Sequence, residues 1–244
     1  MSLFASDLAS NCLVRVYPIA RALARTRDVE VVGPLFGGDE VFAPFARELP
    51  YRVVRAPNRD RMRASAYRGL ARELAGAATG SLAWAFKATY TSYGAALLMR
   101  RRTRRPVVLD LEDWDAHEFH RFRWRQRLGR WNVSRTFRDH MSPHALALME
   151  LLVRRADRVV VSSTYLQRKF GGVRIMQGAD CEALDPGLVD ASRARDRLGV
   201  ADGAFVVLFT GTVLPHKGLE DLAQAAAQVE VPAWGLVTLR AELP

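Results

Sequence analysis

Short runs of apolar, mostly β-branched residues alternate with amphipathic helical patterns along most of the chain. The runs are almost continuously apolar instead of strictly alternating, which is typical of strands covered by helices on both faces. The sequence therefore predicts an α/β fold with a doubly wound parallel sheet. The predicted strands lie at residues 2–6, 29–34, 51–57, 82–88, 106–111, 157–163 and 172–176.

Helical periodicity fills the intervals between these strands. The clearest helix has one apolar face formed by Cys12, Val16, Ile19, Ala20 and Leu23. Further helices are predicted near residues 61–78, 91–104, 117–154 (in more than one piece) and 163–170. The pattern breaks at "DPG", residues 185–187, before a short helical stretch and a new strand at 204–210. The sequence thus predicts a first domain over residues 1–187 and the first βαβ portion of a second over 188–244.

Composition narrows the class of protein. With 49% apolar residues, 244 residues can bury one full core and begin a second. The formal net charge of +10 favours anionic partners: phosphates, nucleic acid or acidic lipid. Cys12 and Cys181 are far apart and form no disulfide or zinc motif, which fits a reducing, cytoplasmic setting. No apolar run is long enough to span a bilayer, so a soluble or peripheral protein is expected.

The segment "FVVLFTGTVLPHKGLEDL", residues 205–222, combines a buried strand, Gly211, Lys217 and an amphipathic helix. Free N–H groups at a helix N-terminus beside a lysine suit a phosphate. The same pattern also fits an ordinary strand-to-helix turn, because the chain contains neither a GxGxxG nor a Walker A motif.

Four segments, in order, resemble the retaining GT-B glycosyltransferases of family 4. They are "FASDLASNCLVRVYPIARALARTRDVEVVGP", "FKATYTSYGAALLMRRRTRRPVVLDLEDW", "RVVVSSTYLQRKFGGVRIMQGAD" and "FTGTVLPHKGLEDLAQA". The resemblance implies a Rossmann-like acceptor-side domain over 1–187 and an incomplete donor-nucleotide domain over 188–244. It also implies transfer of a sugar, with retention, from a nucleotide sugar to a glycan or lipid-linked acceptor, as in polysaccharide biosynthesis. The nucleotide sugar would be a substrate, and no cofactor is implied.

On the donor side, the resemblance assigns the diphosphate contacts to Gly211, Thr212 and Lys217. Thr212 stands where the family has a basic residue, so charge neutralisation would depend more on Lys217. The paired-glutamate element of the family would lie beyond residue 244. The chain is therefore expected to be truncated early in its second domain, with little or no transferase activity by itself.

On the acceptor side, the resemblance matches Arg15, with Glu112 and Asp113 at the end of the 106–111 strand. Arg15 could alternatively be a solvated residue on a helix capped by Ser10 or Asn11. Glu112 replaces a family histidine, and no catalytic nucleophile can be named. An alternative metal site would use Asp113, Asp115, His117, Glu118 and His120. Because GT-B enzymes do not generally need a metal, none is expected.

Two arginine-rich stretches, residues 100–105 and 120–131, carry much of the positive charge. Aromatic residues interleave with the second stretch, which suits an anionic membrane surface such as the inner face of the cell membrane. The alternative to an enzyme is a non-catalytic membrane- or acceptor-binding remnant. Nucleic-acid binding is disfavoured, because no known nucleic-acid-binding motif accompanies the arginines. Simple solvated helices would explain the same charges.

Overall fold

The computed structural model describes residues 1–9, 12–47, 49–121, 141–179, 181, 185–201, 203–210, 217–228 and 234–239. The chain divides into two compact units, Met1–Ala179 and Asp180–Pro244. The predicted domain boundary after residue 187 lies a few residues beyond this division.

The first unit is built on a seven-stranded sheet in the order β3-β2-β1-β4-β5-β6-β7. Every neighbouring pair is parallel. The strands are β1 Ser2–Phe4, β2 Glu30–Phe36, β3 Tyr51–Ala56, β4 Ala83–Phe86, β5 Val107–Leu111, β6 Arg158–Val161 and β7 Val173–Arg174. The predicted doubly wound parallel α/β sheet is confirmed. Strand order reverses between β1 and β4, because the chain first extends the sheet to one side of β1 and then to the other.

Six helices are described in this unit: α1 Leu13–Ala24, α2 Ala64–Ala77, α3 Ala95–Thr103, α4 His117–Arg121, α5 Pro143–Glu150 and α6 Thr164–Phe170. A π-helical turn, Tyr90–Gly94, precedes α3. Strand β4 is shorter than predicted at its carboxyl end, because Lys87 adopts a left-handed φ of 68° that takes it out of extended geometry. Within the described ranges, no helix is long and apolar enough to cross a membrane.

Each face of the sheet has its own apolar cluster. On one face, Leu13 and Val16 of α1 share a buried cluster with Leu3 of β1. On the other face, Leu74 of α2 and Met99 of α3 belong to the cluster that includes strand residues of β1, β4, β5 and β6. The near-continuous hydrophobicity of the strands therefore follows from burial on both sides.

Gly33 of β2 positions the loop that joins β1 to α1. A Cβ at this glycine would lie 2.8 Å from Cγ of Leu8, which is closer than packed carbons approach. The Leu8 amide donates to the carbonyl of Pro34 at 3.0 Å. The absence of a side chain at Gly33 thus allows the loop to lie directly against β2.

The second unit contains α7 Ala191–Leu198, β8 Phe205–Thr210, α8 Leu219–Ala226 and β9 Trp234–Leu239. Strands β8 and β9 pair in parallel across the described residues. The predicted strand–helix–strand portion over the end of the chain is confirmed.

The amino-terminal edge of the seven-stranded sheet is held by the carboxylate of Glu30. Its Oε1 accepts from the Ser2 hydroxyl at 2.6 Å and from the Thr79 amide at 2.6 Å, and its Oε2 accepts from Arg52 Nε at 2.9 Å. Burial would raise the pKa of Glu30, but these hydrogen bonds outweigh it and lower the pKa to about 2 from an ordinary value of 4.5. The carboxylate therefore joins β1, β2, β3 and the loop before β4.

We expect the Glu30→Gln variant to lower the free energy of unfolding by roughly 2 kcal/mol at pH 7, because an amide cannot satisfy the same donors. A depressed folded pKa supplies stability above the ordinary value, and this stability is lost as the pH falls from 4.5 towards about 2. The variant should lack that part of the acid dependence in urea titrations. Glu73→Gln, at an exposed position on α2, is the matched control, and an equal effect of both variants would refute the assignment.

Candidate functional site

The site that the topology favours lies where strand order reverses, at the carboxyl ends of β1 and β4. The chain leaves β1 towards α1 on one face and leaves β4 towards α3 on the other. Such a divergence opens a crevice at the edge of the sheet, where open α/β folds bind their ligands. We call this region the switch crevice.

Lys87 follows β4 directly and lies at the centre of the acidic side chains of the switch crevice. Its Nζ lies 2.9 Å from Oε1 of Glu112, 3.4 Å from Oδ1 of Asp115 and 3.9 Å from Oδ2 of Asp113. The side chains of Lys87, Glu112 and Asp115 are largely buried, whereas that of Asp113 is 73% exposed. One ammonium group thus faces three carboxylates, one of which remains open to solvent.

The pKa values of this cluster follow from burial and charge. Burial would lower the pKa of Lys87, but the charges of Asp115 and Glu112 outweigh it and raise the pKa above its usual range. Burial raises the pKa of Asp115, while Lys87 opposes that shift. Lys87 therefore stays protonated at neutral pH, and its charge limits the rise in the pKa of Asp115.

Lys87 also has a left-handed backbone, with φ at 68°, which is uncommon for a residue with a side chain. Its amide donates to the carbonyl of Asp110 at 2.9 Å. Backbone conformations of this kind occur often at functional sites, where the surroundings hold them in place.

Arg15, in the first turn of α1, forms a buried ion pair with Asp110 of β5. Its Nε lies 2.6 Å from Oδ1 of Asp110, and its Nη2 donates to Oδ2 at 3.2 Å. The same guanidinium donates to Oε1 of Gln177 at 3.0 Å and to the carbonyl of Ile175 at 2.9 Å. It therefore joins α1, β5 and the segment after β7.

The structure corrects the alternative in which Arg15 is a solvated residue, because Arg15 is 2% exposed. The helix begins at Leu13 with Cys12 as its N-cap, whereas Ser10 and Asn11 lie outside the described residues. With its donors engaged inside the protein, Arg15 positions the crevice wall and does not present its charge to a ligand. Burial raises the pKa of Asp110 to about 6, against the opposing effect of Arg15.

The π-helical turn after β4 is attached to the end of β1. The hydroxyl of Thr91 donates to the carbonyl of Ser6 at 2.8 Å, and that of Ser92 donates to the carbonyl of Phe4 at 2.7 Å. π-Helical turns are rare, and they occur frequently at functional sites. Both walls of the crevice are thus connected by buried hydrogen bonds.

A polar cavity of 400 Å³ lies beside the crevice at the carboxyl ends of β2 and β3. It is lined by Gly37, Asp39, Asn58 and Arg59, and Arg59 forms an ion pair with the buried Asp7 of the loop after β1. This volume lies within the range of small-molecule sites. A larger cavity of 830 Å³ lies between α3 and α5, away from the crevice.

The described residues of the alternative metal site contact other partners. A ring nitrogen of His117 lies 3.0 Å from the carbonyl of Trp114, and His120 lies 3.3 Å from Glu150. Asp113 and Asp115 face Lys87 instead. The side chain of Glu118 is not described. Among the described residues, no three His, Cys, Asp or Glu side chains form a group able to hold a metal ion.

Of the predicted donor contacts, only Lys217 belongs to the described residues, since Gly211 and Thr212 lie outside them. Lys217 is exposed and stands two residues before α8, whose cap is the left-handed Gly218. The first turn of α8 carries Glu220 and Asp221. These carboxylates oppose the positive end of the helix dipole, so an anion here would depend mainly on Lys217.

Two charged groups of the crevice were not among the predicted site residues. Lys87 was placed inside a strand. In an open α/β sheet, however, a lysine at the carboxyl end of a buried strand indicates a ligand site. Asp110 was placed within the strand at 106–111, where a carboxylate needs a buried partner. The pairing with Arg15 spans 95 residues, so it could not be deduced from local spacing.

Part of the chain is similar in sequence to a curated glycosyltransferase. The chain is 32% identical over 108 residues to a D-inositol 3-phosphate glycosyltransferase of Geodermatophilus obscurus. The match covers 40% of this chain and 24% of that protein, so the chain spans about a quarter of the relative's length. No protein-family profile matches.

Among solved structures, UGT89C1 of Arabidopsis thaliana complexed with UDP aligns with 99% of this chain and 65% of its own, at 12% identity and a TM-score of 0.48. The sequence match shows that part of the chain is similar to a glycosyltransferase.

We expect Lys87→Met to lower the free energy of unfolding by about 3 kcal/mol at pH 8, because it leaves buried carboxylates without their cation. Without Lys87, the folded pKa of Asp115 rises further, and stability linked to a raised acid pKa is lost as the pH rises through it. The deficit should therefore be smaller at pH 5 than at pH 8. Lys217→Met, at an exposed lysine, serves as control, and a deficit independent of pH would contradict the charge assignment.

The Arg15–Asp110 pair can be tested by a double-mutant cycle. Arg15→Met should cost about 3–5 kcal/mol of unfolding free energy, because it leaves Asp110 buried without its partner. The double variant Arg15→Met/Asp110→Leu should be less destabilised than the sum of the single variants. Chemical denaturation of Arg15→Met, Asp110→Leu and the double variant measures the three changes in unfolding free energy. Additive changes would show that the two side chains are not coupled.

Proposed function

We propose that this chain is the acceptor-side lobe and the beginning of the donor lobe of a GT-B glycosyltransferase of the retaining family 4. It would move a sugar from a nucleotide-sugar donor to a glycan or lipid-linked acceptor, as in polysaccharide biosynthesis. The observation that carries this proposal is the 32% identity to a glycosyltransferase over 108 residues. The parallel sheet with a crevice at its strand reversal supports it.

The switch crevice would hold the acceptor in this proposal. Acceptor hydroxyl groups are hydrogen-bond donors, and carboxylates are strong acceptors for them. The exposed carboxylate of Asp113 is the group best placed to meet a ligand, while Lys87 pairs with the largely buried Glu112 and Asp115 behind it. The adjoining polar cavity beside Arg59 would give room for the rest of a hydrophilic acceptor. We assign no catalytic nucleophile.

The loop between β8 and α8 would contact the donor diphosphate through Gly211, Thr212 and Lys217. Charge on the leaving diphosphate grows as the glycosidic bond breaks, so a lysine beside it stabilises the transition state more than the ground state. The donor enters as a substrate, and the proposal needs neither a cofactor nor a metal ion.

We propose that these 244 residues by themselves have little or no transferase activity. The described part of the second unit has two strands and two helices, and Lys217 is the one predicted donor contact within it. A nucleotide-sugar site needs several convergent polar groups around an enclosed ligand, and one cation at a helix start supplies only part of them.

Donor binding can be measured by titration calorimetry with UDP- and GDP-linked sugars. We expect weak binding that falls about tenfold in Lys217→Gln, since one charge-assisted contact to phosphate contributes roughly 1.5–3 kcal/mol. Arg197→Gln, an exposed position on α7, is the matched control and should leave affinity unchanged. Rapid turnover of a nucleotide sugar by the purified chain would refute the low-activity proposal, and binding insensitive to Lys217 would refute the donor assignment.

A second candidate function is a non-catalytic protein that binds an acceptor or an anionic membrane surface. The described arginines of the 100–105 stretch favour it, whereas most of the 120–131 stretch lies outside the described residues. Such a protein would act in the cytoplasm and at the inner face of the cell membrane. It predicts no donor binding in the calorimetric experiment. Nucleic-acid binding would instead give steeply salt-dependent association with DNA.

A further inference from the structure

A groove of 830 Å³ lies between α3 and α5, on the face of the sheet opposite α1. It is separate from the switch crevice and shares none of the charged residues assigned there. One part of its lining is apolar, and the other is formed by arginines. The apolar part consists of Tyr90, Leu97, Leu98, Met149 and Leu152.

Two exposed leucines are next in sequence to residues of the apolar part. Leu148 of α5 is 47% exposed, and Leu151, which follows that helix, is 77% exposed. Each is a sequence neighbour of a groove residue, Met149 and Leu152 respectively. Exposed leucines next in sequence to residues of an apolar groove are consistent with an interaction site on this side of the unit.

The charged part of the groove contains five arginines: Arg100, Arg101, Arg104, Arg154 and Arg155. Arg100 lies 3.3 Å from Asp157. Within the described part of the chain, no carboxylate lies within ion-pairing distance of Arg101, Arg104 or Arg154. These three side chains are exposed, so they are available to an external anion.

The carboxyl end of a helix dipole is negative and favours basic residues, which explains the arginines in the last turn of α3. It does not explain Arg154 and Arg155, which belong to the 3-10 turn Val153–Arg155 and line the same groove from the other side. Two separate segments thus bring cations to one end of an apolar groove.

We propose that this groove docks the chain on a bilayer containing anionic phospholipid. Arginines suit the phosphate of a lipid headgroup, and the apolar lining with its exposed leucines suits the adjoining acyl region. Nucleic acid fits less well, since base stacking uses aromatic platforms and, among the lining residues that the structure describes, Tyr90 is the one aromatic side chain. This inference does not depend on transferase activity.

The proposal is tested by sedimentation of the full 244-residue chain with vesicles. The chain should bind vesicles of phosphatidylglycerol and phosphatidylcholine, and not vesicles of phosphatidylcholine alone. The triple variant Arg101→Gln/Arg104→Gln/Arg154→Gln should lower the partition coefficient at least about tenfold, since each arginine near an anionic surface contributes separately. The matched control Arg21→Gln/Arg25→Gln/Arg27→Gln, on exposed positions of α1 and its end, removes the same three charges and should change it less than about twofold.

Equal losses in the two triple variants would overturn the proposal, because net charge alone would then explain binding. Failure of the wild-type chain to bind the anionic vesicles at low salt would overturn it as well. The same proteins are titrated against double-stranded DNA. Tight DNA binding that the groove variant abolishes, without vesicle binding, would assign the groove to nucleic acid and refute the lipid assignment.

The apolar contribution is tested by Leu151→Asp, at a side chain that is already 77% exposed and is not needed for the core. A carboxylate there should repel the bilayer and reduce binding at least about fivefold at low salt. Leu188→Asp, at a 74% exposed leucine of the second unit, is the control and should retain binding. Equal effects of the two substitutions would contradict insertion at the groove.

Discussion

The buried ion pair between Arg15 and Asp110 is the interaction on which the arrangement of the switch crevice depends. A carboxylate on a strand covered by helices has a large desolvation cost, and it is tolerated there because a guanidinium reaches it from the first turn of α1. The same guanidinium bonds to the segment after β7. The pair thus fixes three parts of the first unit that are distant in sequence, and it explains why a charged residue can stand inside an otherwise apolar strand.

Next to this neutral pair, the switch crevice has a different charge balance. Lys87 compensates part of the charge of three carboxylates, and the exposed Asp113 leaves the surface acidic. An acidic surface repels phosphate and accepts hydrogen bonds from hydroxyl groups, which suits an acceptor better than a nucleotide. Elsewhere in the first unit, exposed arginines line the groove between α3 and α5. Acidic and basic surfaces are therefore separated within a chain whose net charge is +10.

The fold class was accessible to sequence reasoning because the central strands of the sheet, such as β1, β2 and β5, are buried on both faces. Runs such as 29–34 and 106–111 are therefore mostly apolar, each with one buried carboxylate, and the strands that they predicted are present as β2 and β5. The end of β4 was placed too far along the chain, because the left-handed conformation of Lys87 has no signature in residue type. Arg15 was identified by resemblance, but its burial was not, since that depends on a partner 95 residues away.

Local pattern by itself determined the order of strands and helices, the parallel sheet and the strand–helix–strand portion near the end of the chain, because hydrophobic periodicity is a property of neighbouring residues. Only the tertiary structure decided that Lys87 meets Glu112 and Asp115, that Arg15 is internal, and that arginines from α3 and from residues 153–155 line one groove. Each of these pairings joins side chains from separate elements. Their partners are set by how helices and strands pack together, and nothing in the spacing of residues along the chain records that choice.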